Sequence, residues 1–598
     1  MSGQKKKTNS FSRMFRRIFL GTRSELSVLE EEQMQSPFRT AMRNFRENKI
    51  AMIGSIIFLL IFLSCFILPI FYPLDATYQD VSQQNIAPGF NMLSVPKELR
   101  NNAEQISGGA TFSVGIDKNG KYYSWGKMDK KLLKVPEKMG KLKMISAGLN
   151  HVLAVNDRNE VFTWGYDRLG LDMIPLELNG MVEIKQIVAG YQMSFAVADN
   201  GELFWWGNQN IVDVNPGEHQ GKIEKIAANS TTAIALLEDG NVAALSSKDT
   251  LFSNVPQEIK GNAVDVASTD NTAAALTKDG KVYVWGSDDY GQKLVPEHAQ
   301  GKIKAISAGR YHYTALLEDG SVVAWGRDNF HQTKVPSVTN AAQIANGYYQ
   351  NYVITEDNQV LTSGHSGYLM GTDGFGRDIF TRLISGGRMT MTIGAISVII
   401  SVIIGIIIGG FSGYYGGKVD NVLMRLAEIV ASIPFLPFAM ILSVIVGNSL
   451  TEIQRIAVIM VILGVLSWPP LARLVRAQIL AEREKEFVTA AKAMGIKEWS
   501  IIFKHILPNV ITVVIVDTTL AFASCMLIES SLSFLGFGVV EPTPTWGNML
   551  NGSQASTVIQ NYWWRWVFPS LALSLSTISI NLIGDGLRDA IDPRSNDR

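Results

Sequence analysis

Two hydrophobic patterns alternate along the chain. From residue 50 to 72, twenty-three residues run without a charge. As a helix they would span about 35 Å, enough for a hydrocarbon core of roughly 30 Å. Across 105–364 the apolar positions instead come in short alternating stretches cut by Asn, Asp and Gly, which predicts strands and tight turns. Long apolar runs then return at about 391–412, 430–446, 456–472, 510–534 and 567–583. The pattern predicts a multidomain chain: a polytopic α-helical membrane domain of six transmembrane helices with an all-β domain inserted after the first. Its parts are a polar segment 1–49, a transmembrane helix 50–72, a linker 73–104, the β domain 105–364 and a membrane core 365–598. Pro434 with Pro437, and Pro469 with Pro470, predict that two of the membrane helices are either broken, where neighbours or a water-filled path satisfy the backbone, or merely kinked.

The β domain repeats itself. ISAGLNHVLAV, IVAGYQMSFAV and ISAGRYHYTAL share one register, placing Gly109, Gly148, Gly190, Asn229, Thr269, Gly309 and Gly347 at steps of 39, 42, 39, 40, 40 and 38 residues. A turn pair recurs about eleven residues later, as at Asn119-Gly120 and Asp319-Gly320, with Asn159 and Asn358 in two units, and Trp-Gly follows at Trp125, Trp164, Trp206, Trp285 and Trp325. Each unit reads as strand, turn, strand and loop. Seven such units cannot each bury their own faces, so they predict blades around a ring. The pattern resembles the RCC1-type repeat, which implies a seven-bladed β-propeller. His151 and His312 share a repeat register, which favours packing between blades over metal ligation. A closed ring brings its ends together and can therefore enter a loop without splitting the domain around it.

Charge orients the membrane part. The first forty-nine residues carry eleven Lys/Arg against five Glu, and the loop 472–508 carries seven Lys/Arg against four Glu. Both are expected on the cytoplasmic side, with the C-terminus there as well and the ring and Trp563, Trp564 and Trp566 outside, in a plasma membrane. Within the loop, Ala490, Ala491, Ala493 and Gly495 leave one helix face nearly bare, a surface on which another protein could close. The spacing TAAKAMG, nine residues, then His505-Ile506-Leu507-Pro508 resembles the coupling loop of ABC-importer permeases, with Thr489 in place of the family's first Glu and His505 in place of its Ile. The resemblance assigns ATPase contact to Glu486, Thr489, Ala490, Ala491, Gly495, His505, Leu507 and Pro508. GTDGFGRDIFTR at 371–382, the stretch 529–550 and the stretch 581–594 are similar to permeases of the dipeptide/oligopeptide C type. Gly371, Asp373, Gly376, Arg377 and Asp378 form a turn before the core, in which Asp373 or Asp378 caps the next helix.

Overall composition changes little: 54 basic and 54 acidic residues average a polar half with an apolar one. Cys65 and Cys525, the two cysteines, lie in apolar runs and imply no disulfide framework. Asp517 and Glu529 lie inside apolar segments, where a carboxylate must face protein or water, and are candidates for the translocation path. The chain has no G-x4-G-K-[ST] phosphate loop. The family resemblance therefore implies a transport subunit and no enzyme: ATP and Mg sit on two partner ATPases. A second permease subunit, a lipid-anchored extracellular peptide-binding protein and membrane lipid complete the expected partners, with no nucleic acid and no cofactor or metal on this chain. Alternatives are a permease for a nickel complex, a glycoside or an exported peptide, or a membrane-anchored recognition or adhesion protein.

Overall fold

The computed structural model describes residues 37–71, 75–447 and 450–591. The basic segment before residue 37, Tyr72 at the end of the first expected crossing and the tail beyond 591 lie outside the described residues. Two compact units emerge, one within Met1–Gln79 and Arg377–Arg598, the other Asp80–Gly376.

The first unit is helical. Asn48 caps its first long helix by accepting from the Ile50 and Ala51 N–H groups, both at 3.1 Å, a contact of about 1 kcal/mol. Five helices are long and apolar enough to cross a membrane: Lys49–Phe71, Ile379–Tyr415, Glu452–Glu482, Glu498–Phe534 and Trp564–Ile591. A sixth crossing arises if Gly417–Ser432 and Phe435–Ile445, bent by 77°, form one span. The bend has a local cause. Pro434 cannot donate a backbone hydrogen bond, and it pushes Ile433 into the extended conformation (φ −71°, ψ 123°). The other expected break is absent: Glu452–Glu482 runs through Pro469 and Pro470 as one helix.

Glycines set how closely that helix approaches Ile379–Tyr415. Gly405, Gly409 and Gly413 repeat at i, i+4 and i+8. A methyl group on them would lie 2.9 Å from Leu471, 2.5 Å from the Ala472 carbonyl and 2.7 Å from the Arg476 carbonyl. Backbones meet there because no side chain intervenes. Both cysteines are buried and free.

The second unit holds seven antiparallel sheets, each of three consecutive strands. One more strand per blade is present than the repeat pattern suggested. The stretch across each register glycine is two strands, such as Leu142–Ala147 and His151–Asn156, reversing where Gly148 N–H donates to the His151 carbonyl at 2.9 Å. The next turn places Gly120, Gly201, Gly240, Gly280 and Gly320 at φ between 73° and 78°, with Asn159 and Asn358 at 61° and 60°. Left-handed backbone is what Gly, and next to it Asn, tolerate.

Middle strands are buried along their whole length because neighbouring blades cover both faces. The repeat histidines stitch blade to blade: His151 Nε2 meets Ser194 Oγ at 3.0 Å, and His312 Nε2 meets Asn351 Oδ1 at 2.7 Å. The unit also extends beyond the repeats on both sides. Residues 80–104, expected as a linker, pack into it, with Ile86, Met92, Val95 and Leu99 all at most 4% exposed. Residues 365–376, expected with the membrane core, belong here too. Thr372 Oγ1 accepts from Ile86 N–H at 2.8 Å and donates to the Gln83 carbonyl at 2.6 Å.

Burial holds His151, His312 and His365 down to about 4. They stay neutral in the fold, whereas the unfolded chain takes up protons as pH falls through about 6.5. Ring stability is therefore complete above that pH and is lost on the way down to about 4, by up to about 1.4 kcal/mol per pH unit for each histidine. The unfolding temperature of the ring should fall between pH 7 and 4.5. A His151→Gln, His312→Gln double variant should show a shallower fall, and an equally steep one would contradict this origin.

Candidate functional site

The polar loop 472–508 folds into a short helix, Glu486–Ala493, then Glu498–Ser500, a π-helical turn Ile501–Ile506 and the long helix Leu507–Phe534. Each boundary follows from a residue. Gly495, at φ 72°, ends the first helix in a left-handed turn: its N–H donates to the Lys492 carbonyl at 3.0 Å, and Ile496 N–H donates to the Ala491 carbonyl at 3.2 Å. These are the paired bonds of a Schellman motif, and a Cβ-bearing residue there costs roughly 1–2 kcal/mol. Pro508 has no N–H, and its ring crowds the carbonyl of Lys504. The backbone answers by widening, so that Leu507 N–H reaches Ile502.

The apolar side of this loop is anchored. Val488, Ala491, Ile501, Ile502 and Ile506 form one cluster with Tyr414, Leu471, Val475 and Ile479 of the two glycine-packed helices. Charges reinforce the anchor. Asp420 accepts Arg476 Nη2 at 2.5 Å and a hydrogen bond from Ser412, while Arg483 Nη1 donates to the Gly413 and Tyr414 carbonyls at 3.3 and 3.2 Å.

The expected contact residues therefore divide. Glu486, Thr489, Ala490, Ala493, Gly495, His505 and Pro508 are exposed and Leu507 is half-buried, whereas Ala491 is 2% exposed and faces the chain's own core. The pair of alanines does not present one bare face, because neighbouring positions on a helix point about 100° apart. Sequence reading missed three exposed apolar side chains on the same loop: Phe487, Met494 and Trp499 at 37%, 72% and 57%. Their signal was present, since apolar residues in a charged loop need a partner.

The membrane carboxylates also separate. Asp517 lines a cavity of about 450 Å³ together with Ser467, Pro469, Pro470, Phe435 and Cys525. Pro469 and Pro470 thus border the same space as Asp517, as do Ile433 and Phe435 on either side of Pro434. Glu529 does not line it. Fully buried, its carboxylate accepts Ser533 Oγ at 2.7 Å and Ser530 Oγ at 3.3 Å, a joint inside the protein and not a wall of that cavity. Glu428 pairs with Arg425 at 2.6 Å on the surface.

In the turn before the core, Asp378 is the cap. It accepts from Phe380 N–H at 3.2 Å and Thr381 N–H at 3.1 Å, while Asp373 accepts from Phe375 N–H at 2.8 Å. Gly371 and Gly376 take φ of 78° and 72°. Arg377 and the 1%-exposed Arg382 converge on Glu541, at 3.1 Å and at 2.9 and 3.0 Å. Trp546 closes the same region, its Nε1 donating to the Leu383 carbonyl at 2.9 Å.

Residues 401–597 match the family described as the binding-protein-dependent transport system inner membrane component, and 36–88 match the N-terminal transmembrane domain of oligopeptide transport permease C. The oligopeptide transport system permease protein OppC of Escherichia coli K12 is 44% identical over 229 residues, 38% of this chain and 73% of that one. The chain belongs to the peptide transport permease family. DppC, the dipeptide transport system permease protein of Bacillus subtilis, is 39% identical over 241 residues, 40% of this permease and 72% of its relative. Within the ring of this permease, 263–292 and 303–332 match the regulator of chromosome condensation (RCC1) repeat. Solved structures similar to it include human WBSCR16, at 16% identity and TM-score 0.36 over 48% of this chain and 97% of that one. Another is the CRINKLY WD40 ectodomain of the Arabidopsis thaliana receptor kinase ACR4, at 15% and 0.34 over 44% and 96%.

Proposed function

We propose that this permease is the membrane subunit of an ATP-driven importer of dipeptides or oligopeptides, and that the loop around Glu486–Ala493 receives the stroke of a partner ATPase. The observation that carries the reading is the two-sidedness of that loop. Its inner side is locked onto the helices Ile379–Tyr415 and Glu452–Glu482 by Val488, Ala491 and Ile502, and its outer side offers Phe487, Ala490, Met494 and Trp499 to a partner. A push on such a loop moves the helices it is packed on, because an anchored helix transmits displacement and a free one absorbs it. The cavity at Asp517 is the proposed path, to be completed by a second permease subunit. ATP and Mg belong to two ATPase partners, and a lipid-anchored extracellular binding protein delivers peptide.

Sidedness follows from the same reading: ring outside, loop 472–508 and both termini inside. The ring's proposed role is to hold peptide or the binding protein near the entrance, raising local concentration as a tethered second site does.

Two alanines test coupling. Ala490→Glu should leave the chain inserted and folded while ATPase co-purification is lost and peptide uptake falls more than tenfold. Ala491→Glu should destabilise the membrane unit itself, since it buries a carboxylate among apolar side chains. Wild-type ATPase yield and uptake with Ala490→Glu would overturn the assignment. For sidedness, a cysteine replacing Asp319 should react with an impermeant maleimide on intact cells and one replacing Lys497 should not. The opposite labelling would reverse the topology.

A further inference from the structure

The ring encloses a central cavity of about 200 Å³, bordered by residues of the repeat register. The position following the register residue contributes one residue per blade, and in four blades these are Tyr191, Asp270, Arg310 and Tyr348, all on the cavity wall. Backbone bonds fix three of them side by side: Asp270 N–H donates to the Arg310 carbonyl at 3.0 Å, Arg310 N–H to the Tyr348 carbonyl at 3.1 Å, and Tyr348 N–H to the Gly109 carbonyl at 3.1 Å.

The incoming chain contacts two of the residues that follow the register positions, Arg310 and Ala110. Asp80 pairs with Arg310 and accepts the Tyr349 hydroxyl, while Ser82 gives it an N–H at 2.9 Å and a hydroxyl at 2.8 Å. Gln83 Nε2 donates to the Ala110 carbonyl at 2.7 Å, and Gln83 Oε1, buried, has no hydrogen-bond partner among the described residues.

Charge does not balance here. Arg310 is shared by Asp80 and by Asp270, whose Oδ2 accepts Arg310 Nε at 3.0 Å. Two carboxylates face one guanidinium, and the side chains are 1%, 19% and 19% exposed for Asp80, Asp270 and Arg310. Asp80 is well supplied with donors, and they hold its carboxyl below the usual range although burial opposes them. Burial instead raises Asp270 in spite of Arg310. Asp80 thus holds Arg310, the Tyr349 hydroxyl and both Ser82 donors, whereas Asp270 holds Arg310 Nε and Ser230. The less compensated carboxylate is Asp270, at the cavity wall, and a desolvated carboxylate calls for a cation. Tyr191 and Tyr348 line the same cavity, the Tyr348 ring already lying under the Arg310 guanidinium at 5.7 Å, and aromatic faces of this kind favour an organic ammonium. The space, roughly seven waters at about 30 Å³ each, exceeds what a bare ion fills.

We propose that this end of the ring's channel binds a primary ammonium group, the free N-terminus of a peptide, with Asp270 as its counter-ion and Tyr191 and Tyr348 beside it. Choosing a peptide among amines rests on the peptide-permease reading; recognition of ammonium does not.

Calorimetric titration of the full chain in lipid nanodiscs, without ATPases or nucleotide, tests the site apart from coupling. Trialanine should bind, N-acetyl-trialanine at least tenfold more weakly, and ammonium chloride should compete only at much higher concentration. Asp270→Asn should weaken trialanine at least tenfold. Tyr191→Leu, at a half-buried position, should weaken it about fivefold and serves if the first variant does not fold. Absence of trialanine binding, equal affinity for free and acetylated peptide, or wild-type affinity in the folded variants would overturn the proposal. Ammonium chloride competing as well as trialanine would overturn the peptide assignment, leaving the import reading untouched.

Discussion

Everything the ring does depends on how it closes. Among the described residues no sheet mixes strands from the two ends of the repeat array, so closure rests on side chains and a few backbone bonds. Ser113 Oγ meets the Tyr352 hydroxyl at 2.8 Å, and the Trp125 and Tyr352 rings pack edge to face at 5.7 Å, a contact of about 1 kcal/mol beyond its buried area. Val95 and Leu99 from the entering chain fill the seam with Ile106 and Ile354. Val360 N–H donates to the Arg100 carbonyl at 2.8 Å, and Tyr352 donates to the Met92 carbonyl at 3.3 Å. The entering segment is thus part of the seam. At its far end the unit ties its own termini together: a methyl group on Gly376 would lie 1.7 Å from the Asp80 carbonyl oxygen. A domain whose ends touch can be inserted between two membrane helices with little demand on either.

In the membrane unit, close backbone approach has the corresponding role. Three glycines bring Ile379–Tyr415 onto Glu452–Glu482, and the polar loop then packs across the ends of both. Small residues in this chain act in two different ways. Gly405, Gly409 and Gly413 permit contact, whereas Gly495 permits a left-handed backbone and leaves open space around its Cα.

Much of this was legible in the sequence because it repeats or because it is long. The turn pairs and Trp-Gly steps recur every forty residues or so, and the apolar runs exceed what a soluble helix needs. The rest was hidden for physical reasons. Residues 80–104 carry no repeat, so Ile86, Met92 and Leu99 looked like scattered apolar positions in a linker. The extra strand in each blade was concealed because a strand reversing at a single glycine keeps one continuous apolar pattern. Pro469 and Pro470 suggested a break, yet helix geometry persists through them beside a cavity, while Pro434 does break its helix. In the loop, composition marked Ala490 and Ala491 alike; only the helix phase separates the exposed one from the buried one. Asp517 and Glu529 were equivalent as charges in apolar segments, and only packing distinguishes the cavity wall from the internal joint.

A self-closed ring is carried as an independent insertion by this peptide permease. Replacing 80–376 with a short Gly/Ser linker between Gln79 and Arg377 tests it directly, with the thermal unfolding of the purified membrane unit as the readout. The shortened protein should be monodisperse and helical, and should unfold within a few degrees of the full chain's membrane transition. Aggregation, or loss of that transition, would contradict it.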